Sequence, residues 1–506
     1  MNSLLIIAAI LLYFGVLYVI SWWTGRNANE SAYFQGNRSS PWYVVAFGMI
    51  GASLSGVTFI SVPGWVGTSQ FSYLQMVLGY LIGYGIIAKV LIPLYYRLNL
   101  VSIYGYLGQR FGRRSYQTGA GFFLLSRVIG ASFRLYLVAL VFKLIAEKLG
   151  YDVPFLVPVI ISIALIYVYT RKGGIKTVVW TDTLQTACLL LAAILTVIWI
   201  VGRLDMGAGE IWATMKLAGY TKVFVWDWSA GNHFLKHLIS GAFIALVMTG
   251  LDQDMMQKNL TCRTAGESQK NIYWFCVILV AANILFLGLG GLLYVYGEVQ
   301  GLVAFSGEGP NALQILDRAT NEMVARGTDE LYPILALEHL GSWVMLTFVL
   351  GLIAAAYSSA DSALTALTTS FCVDFLGFGE KEGDEAARQR TRERVQLGFA
   401  GLLLLTIMIF AQINDQAVIT AIFKVAGYTY GPLLGLYAFG LLSKRQVPDG
   451  WVPEVCLLAP LLTYIVDSNS LKWWDVSIGF LVLPVNGGLT WAGLAVLAHF
   501  PRSSSN

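Results

Sequence analysis

Residues 47–67 depart from the pattern expected of a helix that crosses a membrane. In one-letter code they read FGMIGASLSGVTFISVPGWVG, so small and hydroxyl residues crowd the middle of the segment and Pro63 and Gly64 follow. Unpaired backbone groups are expensive in lipid, and irregular backbone is tolerated there only where it lines a protein cavity. A broken helix of this kind frees carbonyl oxygens, which are ligands suited to Na⁺. The alternative interpretation is close helix packing through small residues, which is common in membranes.

A second apolar segment carries oxygen ligands in side chains. Four of its residues follow the spacing i, i+3, i+4, i+7 and therefore share one helix face, where they offer one carbonyl and three hydroxyl groups. They are Ala355, Ser358, Ser359 and Ser362. Asp361 lies beside them, and a carboxylate inside an apolar helix is costly enough to indicate a functional site.

Charged residues inside other apolar segments are further candidates. Asp182 stands near the start of a predicted span, either as a functional carboxylate or as a helix-start residue near the headgroups. Arg127 and Arg134 are seven residues apart and share a helix face. The guanidinium of Arg134, which is nearer the midplane, is predicted to hold a substrate carboxylate through two hydrogen bonds. The alternative is a structural pairing with a buried acid or with carbonyl groups.

The composition places these residues in a membrane. Of 506 residues, 57% are hydrophobic and only 12% are charged, whereas about a quarter of a soluble globular protein is charged. The formal net charge of +4, without a basic tail, argues against nucleic acid as a partner. The five cysteines and four histidines show no disulfide or metal-ligand spacing, which argues against a metal-dependent enzyme.

Apolar runs of spanning length recur along the chain, and about thirteen are predicted to be helices. Their approximate bounds are 3–23, 42–66, 73–98, 118–148, 154–170, 178–202, 234–257, 272–297, 338–373, 394–413, 417–441, 450–467 and 475–499. The long loop after residue 297 is predicted to contain a short helix at 311–326. Lys and Arg cluster in five loops of the same parity, which predicts an N-terminus outside and a C-terminus in the cytoplasm.

Several short motifs follow one another along the chain. They are AYFQGNRSSPWY at 32–43, GG at 173–174 with VWTD at 179–182, DQ at 252–253 with QK at 257–258, AAYSSADS at 355–362 and YGPLLG at 430–435. In this combination the chain resembles the sodium:solute symporter family, which includes the sodium/proline, sodium/glucose and sodium/sialic acid transporters. The similarity covers about residues 1–445, and the set of motifs is specific although no single motif is.

The resemblance implies an all-α membrane protein with a five-plus-five inverted repeat of the leucine-transporter type, in one domain over 1–506. The first repeat would be 42–202 and the second 234–441, with an extra helix and loop at 1–41 and two extra helices at 450–499. It implies a symporter of the inner (plasma) membrane that couples inward Na⁺ flow to the uptake of a small polar solute. Neither an enzyme activity nor an obligatory protein partner is implied.

The resemblance also implies a Na⁺ site between the first and eighth core helices, which we call the first Na⁺ site. Its ligands are the backbone carbonyls of Gly51, Leu54 and Ala355 and the hydroxyls of Ser358 and Ser359. The family usually has alanine at the position of Gly51, and a carbonyl ligand tolerates that change.

Some relatives have a further Na⁺ site, and we call its counterpart here the second cation site. It maps to Asp182, Ser358, Asp361 and Ser362. Asp361 stands where that pattern has a serine. The added carboxylate strengthens cation binding, unless the two aspartates repel and one stays protonated.

The implied substrate positions are Ser53, Ser55, Thr58, Val77, Arg134, Met248 and Thr249. Arg134 aligns with the arginine that holds the carboxylate in sialic acid transporters. Val77 stands where those relatives have glutamine and glucose-type relatives have glutamate, so the galactose-type ligand set is absent. The expected solute is an anionic sugar such as sialic acid, a sugar acid or another small carboxylate, and a monosaccharide is the alternative.

Two other functions stay open at this point. A H⁺-coupled symporter could use Asp182 or Asp361 as its proton carrier. A transporter-like domain could also serve as a solute sensor.

Overall fold

The computed structural model describes residues 3–26, 28–148, 150–306, 313–318, 320–378, 385–413 and 418–499. The apolar segments in it are helical, because a helix satisfies its own backbone hydrogen bonds where lipid offers no partner. The helices are α1 (Ser3–Gly25), α2 (Glu30–Gln35), α3 (Trp42–Ser53), α4 (Gly56–Ser69), α5 (Tyr73–Ile86), α6 (Ile92–Arg97), α7 (Gly105–Arg110), α8 (Arg113–Lys148), α9 (Leu156–Thr170), α10 (Ile175–Leu204), α11 (Ala208–Leu217), α12 (Phe234–Ala245), α13 (Gln253–Asn259), α14 (Ala265–Val299), α15 (Leu331–Ile334), α16 (Ser342–Ser370), α17 (Glu385–Ile413), α18 (Val418–Leu442), α19 (Val452–Trp474) and α20 (Val482–Leu497).

The predicted all-α fold is confirmed, and the spans agree with the prediction once broken helices are joined. Among the described residues, ten helices are long and apolar enough to cross a membrane, and the bent pair α12 and α13 makes an eleventh. Helix α9 corresponds to the span predicted at 154–170; it is apolar but shorter than the ten. One of the ten, Gly56–Arg97, turns at Gln70, where φ is 55°. It therefore contains the second half of one predicted span and the whole of the next.

Two of the predicted spans are interrupted. The span at 42–66 consists of α3 and α4, which are separated at residues 54 and 55, where Leu54 has φ −83° and ψ 66°. The span at 234–257 consists of α12, a π-helical turn over Leu246–Gly250, and α13, with a bend of 67° between the two parts. Each break occurs in the first helix of one of the two predicted repeats.

The prediction of a short helix at 311–326 is wrong. The described part of this segment contributes strands to a three-stranded antiparallel sheet, and residues 311, 312 and 319 lie outside the described residues. The strands are β1 (Val303–Phe305), β2 (Leu313–Asp317) and β3 (Glu322–Ala325). The buried residues of β2 alternate, with Leu313 at 2% exposure and Ile315 at 1%. This period of two is typical of a strand with one buried face.

The interrupted helices lie among long continuous ones. Helix α10 packs against α3 and α16, α14 packs against α3 and α4, and α8 packs against α16 and α18. This arrangement keeps the broken backbone inside the protein and away from lipid, as the cost of unpaired peptide groups requires.

The approach of α5 to α12 depends on glycine. A methyl group on Gly79 would overlap the carbonyl oxygen of Leu238, and one on Gly241 would overlap the carbonyl oxygen of Met76. The two backbones are therefore in direct contact, as is common for small residues in membrane helices.

We predict that Gly79→Ala lowers the stability of the folded protein by about 1–3 kcal/mol, because the methyl group has to push two backbones apart. The measurement is thermal unfolding in detergent. Gly85→Ala, on the same helix run but with no atom within 4 Å of the added methyl group, is the control. Equal unfolding temperatures for the two variants would contradict the predicted contact.

Candidate functional site

The break between α3 and α4 exposes backbone oxygens in the protein interior. The last carbonyls of a helix have no partner within it, and here Ile50 O accepts from the amide of Leu54 at 2.6 Å while the chain then leaves the helix. The carbonyls of Gly51 and Leu54 are thereby available to a ligand. This is the arrangement that the sequence predicts for the first Na⁺ site.

Gly51 allows α3 to lie directly on α10 and α16. Its amide donates to Thr186 Oγ1 at 2.9 Å. A methyl group at this position would overlap that same hydroxyl and would lie 3.1 Å from Ser358 Oγ. The threonine hydroxyl therefore occupies the space that an alanine side chain would need.

Helix α16 presents its two predicted hydroxyl ligands to this break. Ser359 Oγ lies 3.3 Å from Ala52 O and 3.5 Å from Ala355 O, so it can donate to either carbonyl. Ser358 Oγ is fully buried near the Asp182 carboxylate and forms no hydrogen bond of good geometry among the described residues. A buried oxygen without a partner, next to free carbonyls, fits a hard cation such as Na⁺. The structure thus brings the residues of the first Na⁺ site together.

At the second cation site, Asp182 already has a cation beside it. Its Oδ2 lies 2.7 Å from the ammonium of Lys258, and both side chains are buried, at 0% and 1% exposure. The other oxygen, Oδ1, accepts from Gln185 at 3.2 Å once the side-chain amide is oriented with its nitrogen toward Asp182. Both carboxylate oxygens of Asp182 are therefore engaged.

The other carboxylate and the last hydroxyl of this site also have protein partners. Asp361 Oδ2 accepts from Tyr169 at 2.8 Å and from Thr181 at 3.5 Å, and its Oδ1 accepts from the amide of Ser362 at 2.6 Å. The hydroxyl of Ser362 lies 3.1 Å from Asp254 Oδ2. Whether a second Na⁺ binds here remains a prediction.

Arg127 belongs to a buried network of ion pairs. Its guanidinium contacts a carboxylate oxygen of Asp254 closely and lies 3.7 Å from Asp252 Oδ2. That same oxygen of Asp252 accepts a short hydrogen bond from Tyr430. Lys258 lies 3.8 Å from the other oxygen of Asp254, so the network continues to Asp182. A structural pairing with buried acids, which the sequence left open for the two arginines, is what the structure shows for Arg127.

Arg134 has a different environment. Its side chain is 7% exposed, and its Nε and Nη1 have no hydrogen-bond partner among the described residues. It lines a central cavity with an empty volume of about 730 Å³, including its opening. A buried guanidinium without an acidic partner costs free energy, and a bound anion would remove that cost.

Six of the seven predicted substrate positions line this cavity. They are Ser53, Ser55, Thr58, Arg134, Met248 and Thr249. Leu54, at the break that forms the first Na⁺ site, also lines it. The cavity and the candidate ion site therefore share the same stretch of broken backbone.

Val77 is the exception, since it is fully buried and does not line the cavity. It lies on the same stripe of α5 as Tyr73, Tyr80 and Tyr84, which do line it. The hydroxyls of Tyr73 and Tyr80, one turn to either side of Val77, are 3.0 Å apart. These longer side chains reach the cavity where an isopropyl group does not.

Sequence reasoning missed the tyrosines and one amide. Asn283 is 1% exposed, donates to Leu279 O at 2.7 Å and keeps its Oδ1 without a partner at the cavity wall. The sequence could have identified Asn283, because a polar amide in the middle of an apolar helix is a candidate functional residue by the same reasoning that selected Asp182. The signal of the tyrosines was their spacing of seven and four residues on one helix.

The deciding comparison concerns most of the chain. Residues 33–451 match the model of the sodium:solute symporter family. The chain belongs to this family. It is therefore a sodium-coupled membrane transporter and not an enzyme, and the predicted resemblance is confirmed.

Similar proteins include sodium/sialic acid symporters. The chain is 24% identical to the sodium/sialic acid symporter NanT of Aliivibrio fischeri, over 95% of this chain and 92% of that protein. It is 24% identical to the sodium/sialic acid symporter SiaT of Proteus mirabilis, over 85% and 83% of the two chains. The sodium-coupled monocarboxylate transporter 2 of Danio rerio is also 24% identical, over 95% of this chain and 73% of that protein.

Solved structures confirm the fold. A Na⁺-coupled sialic acid symporter in a substrate-bound outward-open state superposes with a TM-score of 0.80 at 19% identity, over 98% of both chains. The nucleobase-cation-symport-1 family transporter Mhp1, in a closed conformation, has a TM-score of 0.57 at 14% identity, over 92% of this chain and 94% of that chain.

The different environments of the two arginines lead to a prediction about stability. Arg127→Met should destabilise the protein by about 3–5 kcal/mol, because it leaves buried carboxylates without their cation. Arg134→Met should leave the stability unchanged or raise it, because it removes a charge that has no partner. Thermal unfolding of the solute-free protein in detergent measures both. A larger loss for Arg134→Met than for Arg127→Met would refute this assignment.

Proposed function

We propose that the transported solute is a small organic anion and that its carboxylate binds Arg134. The observation that carries the proposal is the buried guanidinium of Arg134, which faces the central cavity and forms no ion pair with an acidic side chain of the described residues. Planar guanidinium matches a carboxylate with two parallel hydrogen bonds. The hydroxyls and amide around the cavity offer further contacts to a polar solute such as a sugar acid.

The names of similar proteins support an anionic solute. Three of the relatives are named for sialic acid or for monocarboxylates, and all of these solutes carry a carboxylate. The apolar part of the cavity wall, which includes Met248, Ile244 and Phe423, suits the carbon skeleton of such a molecule.

We propose the first Na⁺ site as the place where the coupling ion binds. The carbonyls of Gly51, Leu54 and Ala355 and the hydroxyls of Ser358 and Ser359 would hold it. The partnerless Ser358 Oγ supports this assignment, as does the position of Ser359 between two carbonyls. A cation there would tie the broken span of α3 and α4 to α16.

This placement supports a coupling mechanism of alternating access. The ion and the solute would bind on either side of the backbone around Leu54, so each would stabilise the same arrangement of the broken helix. A ligand shifts a conformational equilibrium only through its different affinity for the two states. The inward gradient of Na⁺ would then drive release of the solute inside.

We propose residues 42–202 and 234–441 as the two inverted repeats, since each begins with an interrupted helix. The helices at 1–41 and 450–499 are then additions to the core. The Lys- and Arg-rich loops support an N-terminus outside and a C-terminus in the cytoplasm, in the inner membrane.

Uptake into proteoliposomes tests the solute. With a panel of sialic acid, sugar acids, small monocarboxylates, neutral sugars and proline, we expect Na⁺-dependent uptake of an anionic member. Arg134→Met should weaken its apparent affinity about 100-fold, because a charge-assisted bidentate contact is lost. Arg134→Lys keeps the positive charge but loses the planar guanidinium that makes two parallel hydrogen bonds. Its apparent affinity should lie between those of the native protein and Arg134→Met.

Two outcomes would contradict the proposal. Na⁺-dependent uptake of neutral solutes alone would remove Arg134 as a carboxylate ligand. Uptake driven by a pH gradient without Na⁺ would indicate proton coupling instead.

The ion site is tested by Ser359→Ala. We expect the Na⁺ concentration for half-maximal uptake to rise about tenfold, since loss of one ligand costs roughly 1–2 kcal/mol, with the order of preferred solutes unchanged. Thr368→Ala is the control, because this buried hydroxyl of the same helix donates to Leu364 O at 2.7 Å and faces no proposed ion. Unchanged Na⁺ activation in Ser359→Ala would refute the assignment.

A further inference from the structure

We propose that the ammonium of Lys258 takes the place of an ion at the second cation site, so that this protein binds one Na⁺ per transport cycle. The inference rests on the proposed Na⁺ coupling at the first Na⁺ site and adds its stoichiometry. It concerns the position beside Asp182, where a second Na⁺ was predicted from the sequence.

The first argument is geometric. The nitrogen of Lys258 lies 2.7 Å from Asp182 Oδ2, which is the distance of a direct charge-assisted contact. With the Gln185 amide turned so that its nitrogen faces Asp182, which is the orientation that satisfies both groups, Asp182 Oδ1 accepts from it at 3.2 Å. A sodium ion at Asp182 would have to displace one of these donors.

The second argument is that the remaining predicted ligands are already engaged. Asp361 accepts from Tyr169, Thr181 and the amide of Ser362, and each of these donors would have to turn away from an incoming cation. The Ser362 hydroxyl lies within hydrogen-bond distance of Asp254 Oδ2 and of Ser358 O. Of the four predicted residues, only Ser358 keeps a side-chain oxygen available for an ion, and this oxygen is also a proposed ligand of the first Na⁺ site.

The third argument is electrostatic. Lys258 is 1% exposed and lies between two buried carboxylates, at 2.7 Å from Asp182 and 3.8 Å from Asp254. This ammonium would repel a second cation placed beside Asp182, because like charges are screened weakly in a buried site. The lysine also cannot leave easily, since a buried ammonium without an acidic partner is costly.

The consequence is a tethered cation in the second site. Lys258 ends the bent span on α13, and Asp182 stands on α10, so the ion pair joins the interrupted helix of the second repeat to the last helix of the first. With a singly charged anion as solute, one Na⁺ per cycle would make transport electroneutral. Two Na⁺ ions would make it move one positive charge.

The experiment counts ions on the purified, full-length protein in detergent, with ²²Na⁺ as the only ligand and choline as the replacement cation. The native protein should bind one ion per chain at saturation, with a Hill coefficient of about one, as a single site requires. Lys258→Met should bind two ions per chain, and Lys258→Arg should bind one. Lys216→Met removes an exposed lysine on α11 and should also bind one.

Each count has a defined meaning. Two ions on the native protein would overturn the inference while leaving the proposed symport intact, and one ion on Lys258→Met would overturn it as well. No bound ion on the native protein would refute the proposed first Na⁺ site itself. If Lys258→Met does not fold, the double variant Asp182→Asn, Lys258→Met removes both charges. It should fold and bind one ion, and two ions on it would count against the inference.

Discussion

The cost of an unpaired peptide group in lipid constrains this whole structure. A helix can be interrupted at membrane depth only where protein surrounds the break, and here α10, α14 and α16 pack against α3 and α13, which flank the two breaks. The same carbonyls that would be a liability in lipid become ligands once they face a hydroxyl-bearing helix. The polar face of α16 and the close approach that Gly51 allows are consequences of this one requirement.

The low dielectric constant of the protein interior also constrains the charged side chains. Four carboxylates and three cations in this region are below 10% exposure: Asp182, Asp252, Asp254, Asp361, Arg127, Arg134 and Lys258. Most of these charges have found a partner of opposite sign or several hydrogen-bond donors. Among the described residues Arg134 has no ion-pair partner, although it stands on the same face of α8 as Arg127. This contrast separates Arg127, which pairs with buried acids, from Arg134, the proposed solute ligand.

Several features of the fold could be predicted from sequence, and others could not. A broken helix within residues 47–67 was predicted because glycine, serine and threonine crowd that segment, and composition is a local property. The structure places the break at residues 54 and 55. The segment at 311–326 was predicted as a helix, but the described part of it pairs as strands. Strand pairing depends on residues that are distant in sequence, so a short amphipathic stretch does not reveal it. Val77 was misplaced relative to the cavity for a similar reason, because the reach of the neighbouring tyrosines decides which side chain lines it.

By itself, the sequence determined the membrane class, the spans and the candidate ion ligands on α16. Hydropathy and helical spacing depend only on residues that are close together in the chain. It also nominated Asp182, Asp361, Arg127 and Arg134 as intramembrane charges. Only the tertiary structure decided which charge meets which. Lys258 and Asp182 are far apart in the chain, and no spacing rule predicts that their side chains lie 2.7 Å apart. The pairing follows from how α10 and α13 pack, and packing is set by many contacts at once.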